Sequence, residues 1–321
     1  MNQSPEEAHQ RVTVITNKYA NRGRAAAQGE KVSEILRSLE CDVDHHQPID
    51  LVHSNEIVRN AIKDERHLVG VGGDGLIHHL VQSCAETSAT LGIVPAGTGN
   101  DFFFGLDLPI GLRMSTQAAI GPTQRVDVLR FERESEAPTY GATIATAGFS
   151  AVVNIRAENM SWPRGSSRYT LATLRELANL KRYQFELVVD GAEIGGECLM
   201  IAIANTRAFG GGMQIAPDAK PFDGEADVVI VRDTSALDLL RMLPKTFKGT
   251  HVNHPAVEII KAESLLLTLR NSQDNTNCGL RSDGEDVGSL PQAVTVVPGG
   301  LHVAGLSPPL TISDEAKEQI E

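Results

Sequence analysis

The fold is decided by residues 67–75, HLVGVGGDG, where an apolar strand passes into a glycine-rich turn and then into a helix. The next predicted strand, 90–94, ends in a second such turn, PAGTGND at 95–101. Two further strands, Arg11–Thr16 and Asp42–His46, precede them, and helices with an apolar stripe separate the strands. Strands that alternate with helices predict an α/β domain built from parallel βαβ units.

Both glycine-rich turns are predicted to lie at one edge of the sheet, because short βα loops follow the carboxyl ends of parallel strands. Glycine lets the backbone approach a ligand closely, and the N–H groups at a helix start attract phosphate oxygens. Either turn alone is as consistent with a simple tight turn as with a binding loop. Together they favour a nucleotide site over a coincidence of turns.

The chain has a different pattern from about residue 127 onward. Strand-like segments follow one another across glycine-rich turns, and only two helices are predicted, at 170–180 and 235–243. Such a succession favours a mainly antiparallel sandwich or barrel. The length of 321 residues, about twice that of a usual domain, predicts two domains. The predicted bounds are 1–131 for the α/β domain, with the tail 305–321 a candidate to pack back on it, and 132–304 for the β-rich domain.

Composition and charge exclude several classes of protein. The 41 acidic residues exceed the 29 lysines and arginines, and the formal net charge of −12 disfavours nucleic-acid binding. No apolar run approaches the ~20 residues that span a bilayer, and the polar first ten residues do not resemble a secretory signal. The 4 cysteines lie far apart, without the spacing of a zinc site or a disulfide framework. These features predict a soluble cytoplasmic protein with no transmembrane segment.

Two local basic stretches stand out against this acidic background. Charge pattern alone favours solvated helix faces for both, with a surface that meets phosphate or an anionic membrane as the alternative. The preferred membrane contact consists of Arg164, Arg168 and Arg175 in the first stretch, with Trp162 as an interfacial anchor. The basic residues are Arg164, Arg168, Arg175, Lys181 and Arg182 in the first stretch and Arg241, Lys245 and Lys248 in the second.

The segments GGDGLIHHLVQ at 72–82 and GIVPAGTGNDFFFGLDLP at 92–109 closely resemble the diacylglycerol kinase catalytic domain, specifically the soluble bacterial lipid kinases of the YegS-like group. The resemblance covers roughly residues 11–303. It implies a nucleotide-binding domain like those of NAD kinase and phosphofructokinase, followed by a β-sandwich domain for the lipid. Further motifs in the family's order are NKYANRGRA (17–25), QRVD (124–127), FGGGMQIAP (209–217), FDG (222–224), GTH (249–251) and SDGE (282–285).

The resemblance also implies where ATP and Mg²⁺ would bind. Mg²⁺ prefers carboxylates and retained water, which suits acidic residues around a nucleotide. A second, structural metal would use the Asp223 carboxylate and the backbone carbonyls of Lys220 and Glu225. The implied nucleotide contacts are Asn17, Asn21, Gly72, Gly73, Asp74, Gly75, Gly97, Thr98 and Asn100, and the implied ligands of the catalytic magnesium, through water, are Asp74, Asp101 and Asp127.

Without the resemblance, the acidic residues have plainer interpretations. Asp101 could cap a helix after Asn100, and Asp127 could be a satisfied buried polar group. The SDGE motif supplies the candidate base: Asp283 would accept the proton of a lipid hydroxyl and Glu285 would support the loop or a magnesium-bound water, although the two could exchange roles. Asp-Gly is equally an ordinary turn dipeptide.

The sequence thus predicts an ATP- and Mg²⁺-dependent lipid kinase at the inner membrane surface, with diacylglycerol as the first substrate and phosphatidic acid as the product. An NAD kinase-like enzyme and a non-catalytic lipid- or nucleotide-binding regulator are the alternatives, and a homodimer is left open. Leu76 stands where the family has Thr or Ser, which predicts altered nucleotide use. The ten histidines match no metal-binding spacing, and most are predicted to be surface or structural residues.

Overall fold

The computed structural model describes residues 9–162, 167–270 and 279–306. The first part of the chain forms a parallel sheet in the order β4-β3-β1-β2. Helices lie between successive strands, so the prediction of parallel βαβ units is confirmed. The strands are β1 (Arg11–Thr16), β2 (Asp42–His46), β3 (His67–Gly72) and β4 (Thr90–Pro95), and the helices are α1 (Arg24–Ser38), α2 (Leu51–Lys63), α3 (Asp74–Cys84), α4 (Asp101–Gly105) and α5 (Leu112–Ala118).

The strand order brings the carboxyl ends of β1, β3 and β4 side by side. Thr16 pairs with Val71, and Gly72 pairs with Pro95, so three loops leave the sheet at one edge. Apolar helix faces cover the two sides of this sheet: α1 buries Val32 and Leu36 fully on one side, and α3 buries Leu80 within the other core. A sheet buried on both faces needs nearly continuous apolar strands, as the run 68–71 shows.

The second part of the chain consists mainly of antiparallel strands, as predicted. Ten strand pairings among β5–β15 are antiparallel in the described part of the chain. The strands are β5 (Thr123–Glu132), β6 (Thr139–Gly141), β7 (Ile144–Gly148), β8 (Tyr183–Val189), β9 (Ala192–Ala204), β10 (Ala226–Arg232), β11 (Val257–Ala262), β12 (Ser264–Arg270), β13 (Leu280–Ser282), β14 (Glu285–Gly288) and β15 (Gln292–Ala304), and the helices are α6 (Phe149–Glu158), α7 (Ser167–Ala178) and α8 (Ala236–Thr246).

The prediction of only two helices in this part was wrong, because α6 is a third. Its apolar side chains lie on more than one side of the helix, so it lacks the stripe that identifies a surface helix in a sequence. Residues Ala151, Val153 and Ala157 are buried, and Gly148 starts the helix at φ +82°, a backbone conformation that favours glycine.

Strand β15 joins the two parts into one hydrogen-bonded sheet. Its first residues pair with β12, whereas His302 and Val303 pair in parallel with Thr90 and Leu91 of β4. Strand β5 runs antiparallel along the other edge of β15, with an irregularity between Val297 and Leu301.

Residues 305–306 lie on the first part of the chain: the Gly305 N–H donates to the carbonyl of Pro122 (2.8 Å), and Leu306 is buried in the same core as Leu80. The rest of the predicted tail, 307–321, lies outside the described residues. The predicted domain bounds remain a prediction. Across the described ranges, no helix has both the length and the apolar character needed to cross a membrane.

Candidate active site

Three predicted nucleotide loops meet at the carboxyl edge of the parallel sheet. The Asn17 N–H donates to the carbonyl of Val71 (3.2 Å), and the Ala96 N–H donates to the carbonyl of Gly72 (2.8 Å). The backbones of Gly73 and Gly97 touch, because a Cβ atom on Gly97 would lie 2.4 Å from the Gly73 Cα. Only glycine therefore fits at this contact, and the two glycine-rich turns form one continuous surface.

Asp74 connects these two turns. Its carboxylate accepts hydrogen bonds from the backbone N–H groups of Asn100 (2.8 Å) and Asp101 (2.5 Å). Asn100 has a left-handed backbone (φ 56°), and its side-chain oxygen accepts from the Gly97 N–H (2.9 Å). Burial raises the pKa of Asp74, while the backbone N–H groups oppose that shift. Asp74 thus fixes the relative position of the two loops.

Asp101 extends the site to the second part of the chain. Rather than capping a helix, its carboxylate accepts from the N–H groups of Gly210 (2.7 Å) and Gly211 (3.1 Å). Burial, and next the charge of Asp74, raises the pKa of Asp101 to about 6. The FGGGM motif at 209–213 therefore lies against the first glycine-rich loops.

The carboxylates of Asp74 and Asp101 suit a hydrated divalent cation. Both border Gly99, where a Cβ would lie 2.6 Å from an Asp74 oxygen and 3.6 Å from each Asp101 oxygen. The charge of Asp283 adds to the raised pKa of both groups, so a cation here would relieve mutual repulsion. In the described part of the chain, no three carboxylate, histidine or cysteine side chains are placed to hold a metal directly. Contact through water, which Mg²⁺ favours, fits this arrangement.

Asp283 is buried between the two parts of the chain. Its carboxylate accepts from the N–H groups of Ala142 (3.1 Å) and Thr143 (2.8 Å), from the Thr143 hydroxyl (2.5 Å) and from His78 Nδ1 (2.9 Å), and its side chain is 5% exposed. Burial raises its pKa, but the hydrogen bonds from His78, Thr143 and Ala142 outweigh burial and leave the pKa lowered. For His78 burial lowers the pKa, and the Asp283 contact outweighs it, so the pKa is raised.

His78 and Thr143 are site residues that sequence reasoning missed. His78 was included among histidines predicted to be surface or structural, yet it forms an ion pair across the interface between the two parts. The sequence did contain a signal that places His78 near the site. His78 follows the predicted site residue Asp74 by four positions on α3, so both side chains lie on one face of the helix. Thr143 offers no comparable pattern, because its role depends on contact with a residue 140 positions later.

Glu285 lies in the same hairpin but is exposed. Its Oε1 atom lies 3.3 Å from the point where a Cβ on Gly75 would stand, so the carboxylate borders the first turn of α3. Asp283 and Gly284 both have positive φ angles (55° and 87°), which is the turn geometry that Asp-Gly favours between two strands. The turn interpretation of this motif is confirmed, and the catalytic role of the motif stays a prediction.

Asp127 is not joined to the other predicted magnesium residues. Its carboxylate accepts from the N–H groups of Gly224 (2.8 Å) and Gly299 (2.7 Å), and the residue is 3% exposed. It borders a cavity of about 670 Å³ that Asp223 and Gly224 also line. Its contacts are those of a satisfied buried polar group, and they attach the 221–224 loop to β5 and to the irregularity in β15.

A lysine ammonium lies where the structural metal was expected. Lys261 Nζ is 2.7 Å from the Asp223 carboxylate, 3.7 Å from that of Glu225 and 3.5 Å from that of Asp227. Asp227 is buried, and burial raises its pKa while Lys261 opposes the shift. Lys261 lies beside all three carboxylates and offsets one of their charges, so the Lys220, Asp223 and Glu225 set does not fit a resident divalent metal while that ammonium is in place.

We expect the thermal stability of the protein to be insensitive to chelators and to depend on Lys261. Lys261→Met keeps the side-chain length but leaves the buried Asp227 carboxylate without a cation, which costs ~1–3 kcal/mol of unfolding free energy. Thermal denaturation with EDTA, and then with added Mg²⁺ or Ca²⁺, measures this effect. A parent protein that loses several degrees in EDTA would show that a metal, rather than Lys261, stabilises the loop.

The remaining residues that are predicted to contact the nucleotide lie in or beside the three loops. Asn17 accepts from the Tyr19 N–H through its side-chain oxygen (3.1 Å), Asn21 sits in a short 3₁₀ turn with φ 48°, and Thr98 is exposed. Leu76 is 8% exposed and packs against Gly72 within the core. This side chain has a packing role, and the altered nucleotide use predicted from Leu76 stays a prediction.

The predicted membrane contact is only partly described. Trp162 is 76% exposed, Arg168 lies over the Tyr169 ring at 5.3 Å, and Arg175 lies in the last turn of α7. Arg164 falls outside the described residues. This contact stays a prediction.

Comparison with known proteins agrees with the two-part fold. Residues 11–131 match the family model of the diacylglycerol kinase catalytic domain, and residues 143–305 match the YegS C-terminal NAD kinase beta sandwich-like domain. Among solved structures, one of a diacylglycerol kinase from Bacillus anthracis str. Sterne superposes with a TM-score of 0.74 at 17% identity, over 95% of this chain and 99% of that one. The predicted combination of an α/β domain and a β-sandwich domain is confirmed.

Sequence comparison extends the likeness over nearly the whole chain. A diacylglycerol kinase of Mycobacterium tuberculosis is 32% identical over 308 residues, which cover 91% of this chain and 94% of the relative. A diacylglycerol kinase of Staphylococcus saprophyticus is 27% identical, over 74% of this chain and 76% of its own. With both family models in order and this breadth of identity, the chain belongs to the diacylglycerol kinase family, with a YegS-like second domain.

Proposed function

We propose that this protein is an ATP- and Mg²⁺-dependent lipid kinase whose first substrate is diacylglycerol. Family membership supports kinase chemistry on a lipid. The observation that carries the finer proposal is the convergence of the Gly73–Gly97 surface, the acidic pair of Asp74 and Asp101, and the Asp283–Glu285 hairpin at one site. Phosphoryl transfer requires a phosphate-binding surface, charge neutralisation and a proton acceptor, and this site offers all three.

In this proposal each loop has a defined task. The N–H groups at the start of α3, after Gly73, bind phosphate oxygens, because the first turn of a helix leaves them without helical partners. Asp74 and Asp101 hold the hydration shell of Mg²⁺, which when bound neutralises charge on the transferred group. The contacts of Asp101 with Gly210 and Gly211 keep the lipid domain at a fixed distance from the phosphate loops.

Glu285 is the better proton acceptor of the two carboxylates in the hairpin. Asp283 is buried, accepts four hydrogen bonds and has a lowered pKa, so it has little capacity to take a proton from a substrate. Glu285 is exposed beside the first turn of α3, where a lipid hydroxyl would approach the phosphoryl group. We assign the role of general base to Glu285 and a positioning role to Asp283. The sequence led us to expect the opposite assignment, with this exchange as its alternative.

The test is phosphorylation by purified protein with labelled ATP and Mg²⁺, offered diacylglycerol, monoacylglycerol, ceramide, a sphingoid base and NAD in parallel. Gly97→Ala places a methyl group against Gly73 and should lower the rate by ~10²-fold, because displacement of reacting groups by about 1 Å has that cost. Gly195→Ala, where a Cβ meets open space, is the matched control and should keep the parental rate. Label in NAD alone would identify an NAD kinase, and no label in any acceptor would support a binding protein.

A further inference from the structure

We propose that the outer face of α8 is a docking surface for an anionic lipid bilayer. The inference rests on the proposed function, since it names the surface through which a kinase of membrane lipids would reach its substrate. The α8 face is defined by Leu237, Leu240, Pro244 and Phe247 together with the basic residues Arg241, Lys245 and Lys248.

The apolar residues of the α8 face form a stripe that no described part of the chain covers. They recur at intervals of three and four residues, so they lie on one side of the helix. Leu237, Leu240 and Phe247 are 54%, 44% and 55% exposed. The opposite side is the one that packs on the domain, where Leu239 and Met242 contact Leu199 and Val231. A helix that is apolar on both sides needs a second apolar environment for the outer one.

The basic residues around this stripe indicate which apolar environment fits it. From residue 239 to 257 the chain has no acidic residue, although the whole protein has a net charge of −12. Arg241, which also contacts the Asp238 carboxylate of the same helix (3.3 Å), forms with Lys245 and Lys248 a basic border around exposed leucine and phenylalanine. This is the composition of a helix that lies in the interface of an anionic membrane. A second copy of this acidic chain offers a poorer complement than anionic lipid.

The α8 face is also attached to the candidate active site. The carbonyl of Thr246, at the end of α8, accepts from the Gln214 N–H (2.9 Å), and Gly249 lies against Pro217. These contacts join α8 to the 209–217 segment, whose glycine N–H groups hold Asp101. A bilayer on the α8 face would therefore lie next to the segment that contacts Asp101 of the candidate active site.

The test is sedimentation with vesicles of phosphatidylglycerol and phosphatidylcholine (1:1), and with phosphatidylcholine alone. The triple variant Leu237→Gln/Leu240→Gln/Phe247→Gln should bind the anionic vesicles at least 10-fold more weakly than the parent. Arg241→Gln/Lys245→Gln/Lys248→Gln should weaken binding by about 10²-fold, since each basic residue near such a surface contributes about fivefold. The matched control, Ile49→Gln/Leu51→Gln/Val52→Gln, changes three apolar residues that are more exposed than those of α8 and lie just before and within the first turn of α2, and it should bind as the parent does.

Kinase assays separate this inference from the proposed function. With a short-chain, water-soluble diacylglycerol the α8 variants should keep the parental rate, and with vesicle-embedded diacylglycerol they should lose at least 10-fold. A parent that binds vesicles through α8 but phosphorylates no lipid would contradict the proposed function alone. Equal vesicle binding by the parent and both α8 variants would overturn the docking surface, and so would an equal loss of binding in the α2 control. An α8 face that binds another protein but no vesicle would also overturn it.

Discussion

Replacement of Glu285 by Gln should lower turnover on the best lipid by ~10²–10⁴-fold, the usual contribution of a general base, and leave folding stability unchanged. Glutamine keeps the size of the side chain and removes its capacity to accept a proton. The side chain is exposed, and its charge adds to the raised pKa of His78 only after the contact with Asp283, which the variant keeps. The affinity for ATP should change little, because the phosphate surface is formed by the backbone at Gly73 and Gly97.

The measurement is steady-state kinetics across pH, together with ATP titration by calorimetry. The matched control is Asp286→Asn, the adjacent exposed carboxylate of the same hairpin, which should keep turnover within a few-fold of the parent. Near-parental turnover of Glu285→Gln would return the base to Asp283 or to another group.

Replacement of Asp283 by Asn should instead destabilise the fold, by about 3–5 kcal/mol, the usual cost of removing one partner from a buried ion pair. The asparagine amide would present a donor to a site where the Ala142 and Thr143 N–H groups and the Thr143 hydroxyl already donate. Turnover should fall as well, and for this variant the loss of turnover should accompany the loss of folding stability. Urea denaturation separates the two variants: a stable Asp283→Asn protein with greatly reduced turnover would make Asp283 the base.

The pH dependence of stability gives an independent test of the same pair. The pKa of Asp283 is lowered from 3.8, so its contribution is present above that value and is lost as pH falls through the lower, folded pKa. The pKa of His78 is raised from 6.5, so its contribution is complete below that value and is lost as pH rises through the raised pKa. The difference in unfolding free energy between the parent and the His78→Asn variant should therefore be greatest between about pH 4 and 6.5 and decline above that range.

The local sequence predicted the bounds of strands and helices better than it predicted which distant residues contact each other. Strand β1 matches its predicted bounds, because a run of β-branched residues before a polar turn is a signal contained within a few residues. The glycine-rich loops were also placed correctly, since parallel strands bring their carboxyl ends to one edge. Helix α6 was missed because its apolar residues lie on several sides, and the stripe on which a helix prediction depends is absent.

The side-chain contacts of the site could not be predicted in the same way. His78 and Asp283 are 205 positions apart, and Lys261 meets Asp223 across 38 positions, so neither pair leaves a local pattern. The family resemblance placed Asp127 among the magnesium residues by its position in a motif, but its contacts depend on a loop and a strand irregularity far along the chain. Such contacts follow from strand register, which a single sequence does not determine.

The shared strand β15 has a consequence for biosynthesis. The free edge of β4 receives its partner only when residues 302–303 have been made, 212 positions after Thr90. At 5–20 residues per second a ribosome needs roughly 10–40 s for that interval. During this time the nascent first domain presents an apolar, unpaired parallel edge, the kind of surface that pairs with other chains. The sheet of the first part of the chain is therefore completed last, and its safe production depends on protection of β4 until residues 302–303 have been made.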